Sequence, residues 1–328
     1  METVDQRRAR LDKTEYLRAN LEPVKISDGS GAYFPRRYLL DFFEYLKTHS
    51  DKYNIITYDD IPIQDTKDQE ANYIGEFKNW VQTVAKTDEG KAKAHVLIQY
   101  DIDSRPERAN ALLASPHHDD IPANVMLFRD RIDRKRFKKT GELRFTEYDF
   151  DMELLKKRMT ENYVMGYHTN AYEKSEHNMD RALEIFNDDM TYFHDNFGVK
   201  YFSAHGGVPG PNGLNNNSLP FDERWVERST WVHNGRTLRF QGYFSDGGHN
   251  SEARDPQKRD LRDFVAGMEP GKRYRMLLHP QYYADNNTRS ERFTGTPWYD
   301  EMIDSHKKSP SKSLWNDINP NPAFAGLV

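Results

Sequence analysis

Two rhythms of apolar and polar positions run through the chain. Apolar residues recur at helical spacing in RRYLLDFFEYLKTH, where Leu39, Leu40, Phe43 and Leu46 fall on one stripe. Ile74, Phe77, Trp80 and Val81 form another in ANYIGEFKNWVQTVAK, and Met179, Ala182, Ile185, Phe186 and Met190 a third in a helix read over 175–196. Between the helical stretches lie short, nearly continuous apolar runs of the kind that buried strands need. These are NIITYDDI (54–61), HVLIQYD, ANVMLFRD (123–130), YVMGYH, VKYFSAH, LRFQGYFSD and YRMLLH. A helix beginning near Pro106, and another capped by Asp149 or Asp151, fill two of the gaps. Strands alternating with helices predict βα units around a parallel sheet, and hence an α/β barrel.

Five of the apolar runs end on a polar or ionisable residue. HVLIQYDID ends on Asp101 and Asp103, YVMGYH on His168 and VKYFSAH on His205; the other two end on Asp246 and His279. In barrels of this kind the C-terminal edge of the strands carries the active site. Alternation along a strand puts Asp101 and Asp103 on one face, with Ile102 on the other. Two carboxylates so close need a cation or a proton between them. That suggests Asp103 as a metal ligand and Asp101 as a general base. The same pair could instead cap the helix that follows. His168, His205 and His279 could be ligands or core histidines, and SDGGHN around Asp246 also suits a plain turn. PHHDDIP, with His117, His118, Asp119 and Asp120, reads as a solvated loop ahead of a second metal site.

Composition narrows the chemistry. The 328 residues contain no Cys, so any metal must be held by His, Asp or Glu. Lys plus Arg is 47 and Asp plus Glu is 52, a net charge of −5, which gives no electrostatic reason to expect nucleic acid as a partner. Mean hydropathy is −0.95, yet 19 Tyr and 18 Phe argue against a disordered chain. No stretch approaches the roughly 18 apolar residues of a membrane span. The charged N-terminus lacks the apolar region of a secretory signal, so a cytoplasmic location is expected. Three regions are expected: an N-terminal arm over 1–30, a single catalytic barrel over 31–304 and a C-terminal tail over 305–328. GGVPGPNGLNNNSLP (206–220) reads as a loop over the proposed site.

Taken in order, IQYDIDSRPE, MGYHTNAYE, SAHGGVPG and MLLHP resemble the motifs of the polysaccharide deacetylase family, the NodB-like carbohydrate esterases, in a divergent branch. The resemblance covers roughly residues 33–285. It implies a distorted (β/α) barrel and metal-dependent removal of an N- or O-acetyl group from a sugar or glycan precursor. By the same resemblance Asp101 is the base, Asp103 and His168 are ligands and His279 is the general acid. The cofactor is a divalent metal, Zn²⁺ on ligand type, and the partner is a carbohydrate or acetylated small molecule. The family's second motif histidine would fall at 172, where this chain has Tyr172. The family's Arg-x-Pro element has become Ala-His-Gly around His205. His205 is therefore the candidate third ligand, and Tyr172, Asp246 and Arg105 are candidate substrate contacts. Two alternatives remain: an inactive deacetylase-like module that binds a glycan or partner, and a C–N hydrolase of small amides.

Overall fold

The computed structural model describes residues 33–61, 93–133, 139–140, 145–146, 150–207, 209–219, 232–233, 240–246, 261–284 and 297–308. The expected arm, the helix around Trp80, the Gly247–Gly248–His249 turn, Trp231 and the tail beyond 308 lie outside these residues. The side chain of Trp298 does too. Eight strands form one sheet, every pairing in it parallel: β1 (Tyr53–Ile56), β2 (Ala94–Asp101), β3 (Asn124–Leu127), β4 (Val164–Thr169), β5 (Tyr201–Ala204), β6 (Val232–His233), β7 (Gly242–Ser245) and β8 (Arg273–Leu278). The order is β7-β8-β2-β3-β4-β5-β6, and the sheet curls into a half-barrel. The α/β reading therefore holds, with a barrel-like curl.

β1 and β3 share one edge of β2. Ile56 pairs with Leu97, and Asn124 takes over opposite Gln99. The seam between them is closed by the Asn124 side chain. Its Nδ2 donates to the Ile98 carbonyl at 2.9 Å, and its Oδ1 accepts from the Tyr58 amide at 2.9 Å.

Helices α1 (Arg36–Thr48), α2 (Pro106–Leu113), α3 (Met152–Met159), α4 (Ala171–Lys174), α5 (Met179–Phe197), α6 (Leu261–Ala266) and α7 (Pro297–Lys308) accompany the sheet. Alternate residues of β2 face opposite ways. Val96, Ile98, Tyr100 and Ile102 enter the large core, which also holds Leu39, Phe42, Phe43 and Leu46 of α1. On α1 it is thus Phe42 rather than Leu40 that completes the buried stripe; Leu40 packs partly buried at its margin. Leu97 faces the inside of the curl, where Ile56, Tyr58, Ile61, Met126, Val164 and Tyr201 form a smaller core. Beyond this inner floor the strands end in polar residues.

Some boundaries differ from the sequence reading. The strand read over 54–61 stops at Ile56, because Asp60 turns back and accepts from both the amide (2.7 Å) and the hydroxyl (3.0 Å) of Thr57, winding Tyr58–Asp60 into one 3₁₀ turn. The helix read from 175 starts at Met179, after Asn178 caps it by accepting from the Arg181 amide at 3.0 Å. The strand read over 123–130 ends at Leu127. Asp151 is the cap of α3, accepting from the Leu154 amide at 2.9 Å. Helix α7 runs across position 304, where the tail was expected to begin.

Candidate metal centre at the strand ends

The inner column of β2 runs Leu97, Gln99, Asp101 and then Asp103, just past the strand. β4 delivers His168 beside it, and β5 ends immediately before His205. Asp103 Oδ1 lies 3.0 Å from His168 Nε2 and 3.7 Å from His205 Nδ1, and Asp101 Oδ2 lies 3.7 Å from His168 Nε2. Neither aspartate caps α2, whose N-cap is Arg105. Asp103, His168 and His205 each offer one ligand atom, and these atoms lie within 4.8 Å of one another. Around a tetrahedral ion with bonds of ~2.0–2.1 Å, ligand atoms sit roughly 3.3 Å apart. The two measured separations straddle that value. One carboxylate and two imidazoles suit a borderline divalent cation such as Zn²⁺.

The groups around this trio hold it in place. His168 Nδ1 hydrogen-bonds with Ser203 Oγ at 2.7 Å. With the proton on Nδ1, the imidazole donates to Ser203 and turns a bare Nε2 toward Asp103. Phe128 stacks on His168 (centroids 5.1 Å apart, 21° between planes) and meets His205 edge-on at 5.2 Å, an apolar wall beside both rings. Burial would raise the Asp103 carboxyl, but His205, His168 and His279 overcome it and hold the group well below the usual range. Burial opposes charge on His168 as well, yet Asp101 and Asp103 pull its pKa above 6.5. The imidazoles thus serve as counter-charges, a place a divalent cation can take with release of their protons.

Two flanking groups are equally well held. Asp101 is 5% exposed and accepts from Gln99 Nε2 at 2.7 Å; the Tyr58 hydroxyl in turn donates to Gln99 Oε1. His279, just past β8, pairs its Nδ1 with Asp246 Oδ1 at 2.5 Å, and its backbone amide donates to Asp246 Oδ2 at 2.7 Å. Its Nε2 lies 3.7 Å from Asp103 Oδ2. Burial lowers the His279 pKa, but Asp246 outweighs it and pushes the group up to about 10.

The residues expected as substrate contacts are Tyr172, Asp246 and Arg105. Tyr172 is fully buried. Its hydroxyl donates to Asn212 Oδ1 at 3.0 Å and its amide to Asn216 Oδ1 at 2.8 Å, so it anchors the 206–219 segment. Asp246 is fully buried against His279. Arg105 holds a left-handed backbone (φ 54°) and leans on Glu107 at 3.7 Å. At Gly207 (φ +61°) a Cβ would lie 2.8 Å from Glu173 Oε1, so the backbone there closely approaches α4. The PHHDDIP cluster is not simply solvated: His117 reaches Glu44 at 3.0 Å, while His118 is buried between Tyr100 and Tyr163. Gln99, Ser203, Phe128 and Gln281 were missed by the sequence reading. Gln99 and Ser203 each lie two residues before a recognised site residue on the same strand face, a signal that was available.

No family model matches the chain, and no curated protein or solved structure does. Among the described residues, no helix is long and apolar enough to cross a membrane.

Proposed function

We propose that the chain is a divalent-metal-dependent hydrolase. Within that class, we assign it to the polysaccharide-deacetylase type, on a distorted (β/α) barrel, removing an N- or O-acetyl group from a sugar or glycan precursor. One observation carries this reading: Asp103, His168 and His205, drawn from the C-terminal ends of β2, β4 and β5, converge within ligand reach of one point. When bound there, a divalent ion supplies Lewis-acid polarisation to a carbonyl and to water. Asp101 takes the proton from the attacking water, and Gln99 holds its carboxylate in position. His279, oriented by Asp246, returns a proton to the departing amine or alcohol. Phe128 stacks on His168 and presents an apolar face beside these groups.

The test is elemental analysis of the full chain purified without chelator, followed by assay on acetylated amino sugars and on small amides. About one divalent ion per chain, with hydrolysis of the sugars that stops with chelator, supports the reading. Binding of no divalent ion would sink it. Hydrolysis of small amides alone would move the assignment to C–N hydrolysis of another substrate class.

A further inference from the structure

The two oxygens of Asp103 face different neighbours. Oδ1 faces His168 and His205, whereas Oδ2 faces His279 and the amide of Gln281, whose Nε2 lies at 3.3 Å. Gln281 reaches this place from far along the chain, and the fold fixes it there. It sits in the one-turn 3₁₀ helix Pro280–Tyr282, which Pro280 opens and which closes with the Tyr282 amide on the His279 carbonyl at 2.9 Å. Its own carbonyl accepts from Nη1 of Arg108, a fully buried residue of the helix that starts just after Asp103. Gln281 is therefore held at two points: its side chain on Asp103 and its carbonyl on Arg108.

A second observation says what the side chain is for. Gln281 is only 7% exposed, and its Oε1 is buried with no hydrogen-bond partner among the described residues. A buried carbonyl left unsatisfied costs free energy. A glutamine placed for packing alone would gain nothing for that cost. Here the same planar amide must aim its N–H at a carboxylate, which can only accept.

Resting on the reading of Asp103, His168 and His205 as cation ligands, we propose that Gln281 is a positioning residue. It occupies Oδ2 of Asp103, so that the carboxylate meets the cation through Oδ1 alone. Groups that orient a metal ligand in this way typically contribute ~10–100-fold to metal affinity.

The experiment titrates chelator-stripped full-length protein with Zn²⁺ by calorimetry and with Co²⁺ by visible absorption, for wild type and Q281L. Wild type comes first: if it binds neither ion, the ligand reading itself fails and this inference falls with it. If wild type binds, Q281L is expected to bind Zn²⁺ ~10–100-fold more weakly. Its Co²⁺ bands are expected to weaken, because a carboxylate freed to bind through both oxygens raises the coordination number and dims the absorption. Unchanged affinity and an unchanged Co²⁺ spectrum in Q281L overturn the proposal and leave the ligand reading standing. Should Q281L not fold, Q281E carries the same test. It keeps the size of the side chain but offers no N–H at neutral pH, so a Co²⁺ spectrum identical to wild type would overturn the proposal.

Discussion

His168 and His118 are both buried histidines, 2% and 0% exposed, yet their protonation is pushed in opposite directions. His168 stands at the strand ends with Asp103 at 3.0 Å and Asp101 at 3.7 Å, and its pKa rises. His118 lies on the far face of β2, in the large core. Tyr100 meets its Nε2 at 2.7 Å, and Tyr163 meets its Nδ1 at 2.6 Å while donating to its carbonyl at 2.6 Å. Burial, together with the nearby Arg158 cation, pushes His118 down to about 3. Burial acts alike on both rings; the difference is whether carboxylates share the cavity. His118 is a neutral post that ties the Pro116–His118 turn to the sheet. A cation there would meet hydroxyls and no carboxylate. The rim cluster already carries counter-charge, which a metal can replace.

The largest effect expected from breaking this contrast is at the rim. D103A and H168A should each lose more than ~100-fold in Zn²⁺ affinity, beyond the range seen for groups behind the ligands. Stoichiometric metal in both variants would place the ion elsewhere. H118A should leave metal binding intact and cost stability instead. It opens a cavity and removes the ring partner of the Tyr100 hydroxyl, while Tyr163 keeps the backbone carbonyl, about 3 kcal/mol together, read as a fall in denaturation midpoint. Loss of metal without loss of stability in H118A would erase the distinction.

The pH response of chelator-stripped protein sharpens it. His118 is lowered on folding, so its contribution is complete above pH 6.5 and is lost as pH falls toward about 3, by at most about 1.4 kcal/mol per pH unit. His279 is raised on folding, so its contribution is complete below pH 6.5 and is lost as pH climbs toward about 10. Melting temperatures across pH should therefore show a smaller alkaline decline in D246N, with the share of His168 remaining, and keep the acid one. A D246N profile that matches wild type above pH 7 would contradict the pairing of Asp246 with His279. The smallest effect is at Ser203. S203A frees His168 Nδ1 and should weaken Zn²⁺ by roughly 10-fold with little change in melting. Equal metal affinity in S203A would mean that the ring is oriented by Phe128 stacking alone.

Much of this was legible in the chain because strand periodicity is rigid. The apolar runs ahead of Asp101, His168, His205 and His279 read as buried strands, and in parallel βα units the polar residue ending each falls at one edge. The missing histidine at 172 directed attention to His205, and His205 does reach Asp103. What was hidden depends on contacts that no local pattern encodes. Gln281 meets Asp103 only because a turn and a buried arginine bring them together. Tyr172 looked like a vacant ligand position, but α4 turns it inward onto the asparagines of the following loop. PHHDD looked uniformly polar, yet a single 3₁₀ turn sends His117 out and His118 in. One residue of phase in so short a turn decides exposure, and composition carries no record of it.

The junction where β1 gives way to β3 has its own consequence. Most of the sheet is stitched by peptide groups that every residue but proline supplies, so substitution there leaves the stitching intact. At this junction the stitch is the carboxamide of Asn124. A single codon change to aspartate would set a negative oxygen against the Ile98 carbonyl and pry neighbouring strands apart directly beneath the floor that supports Asp101.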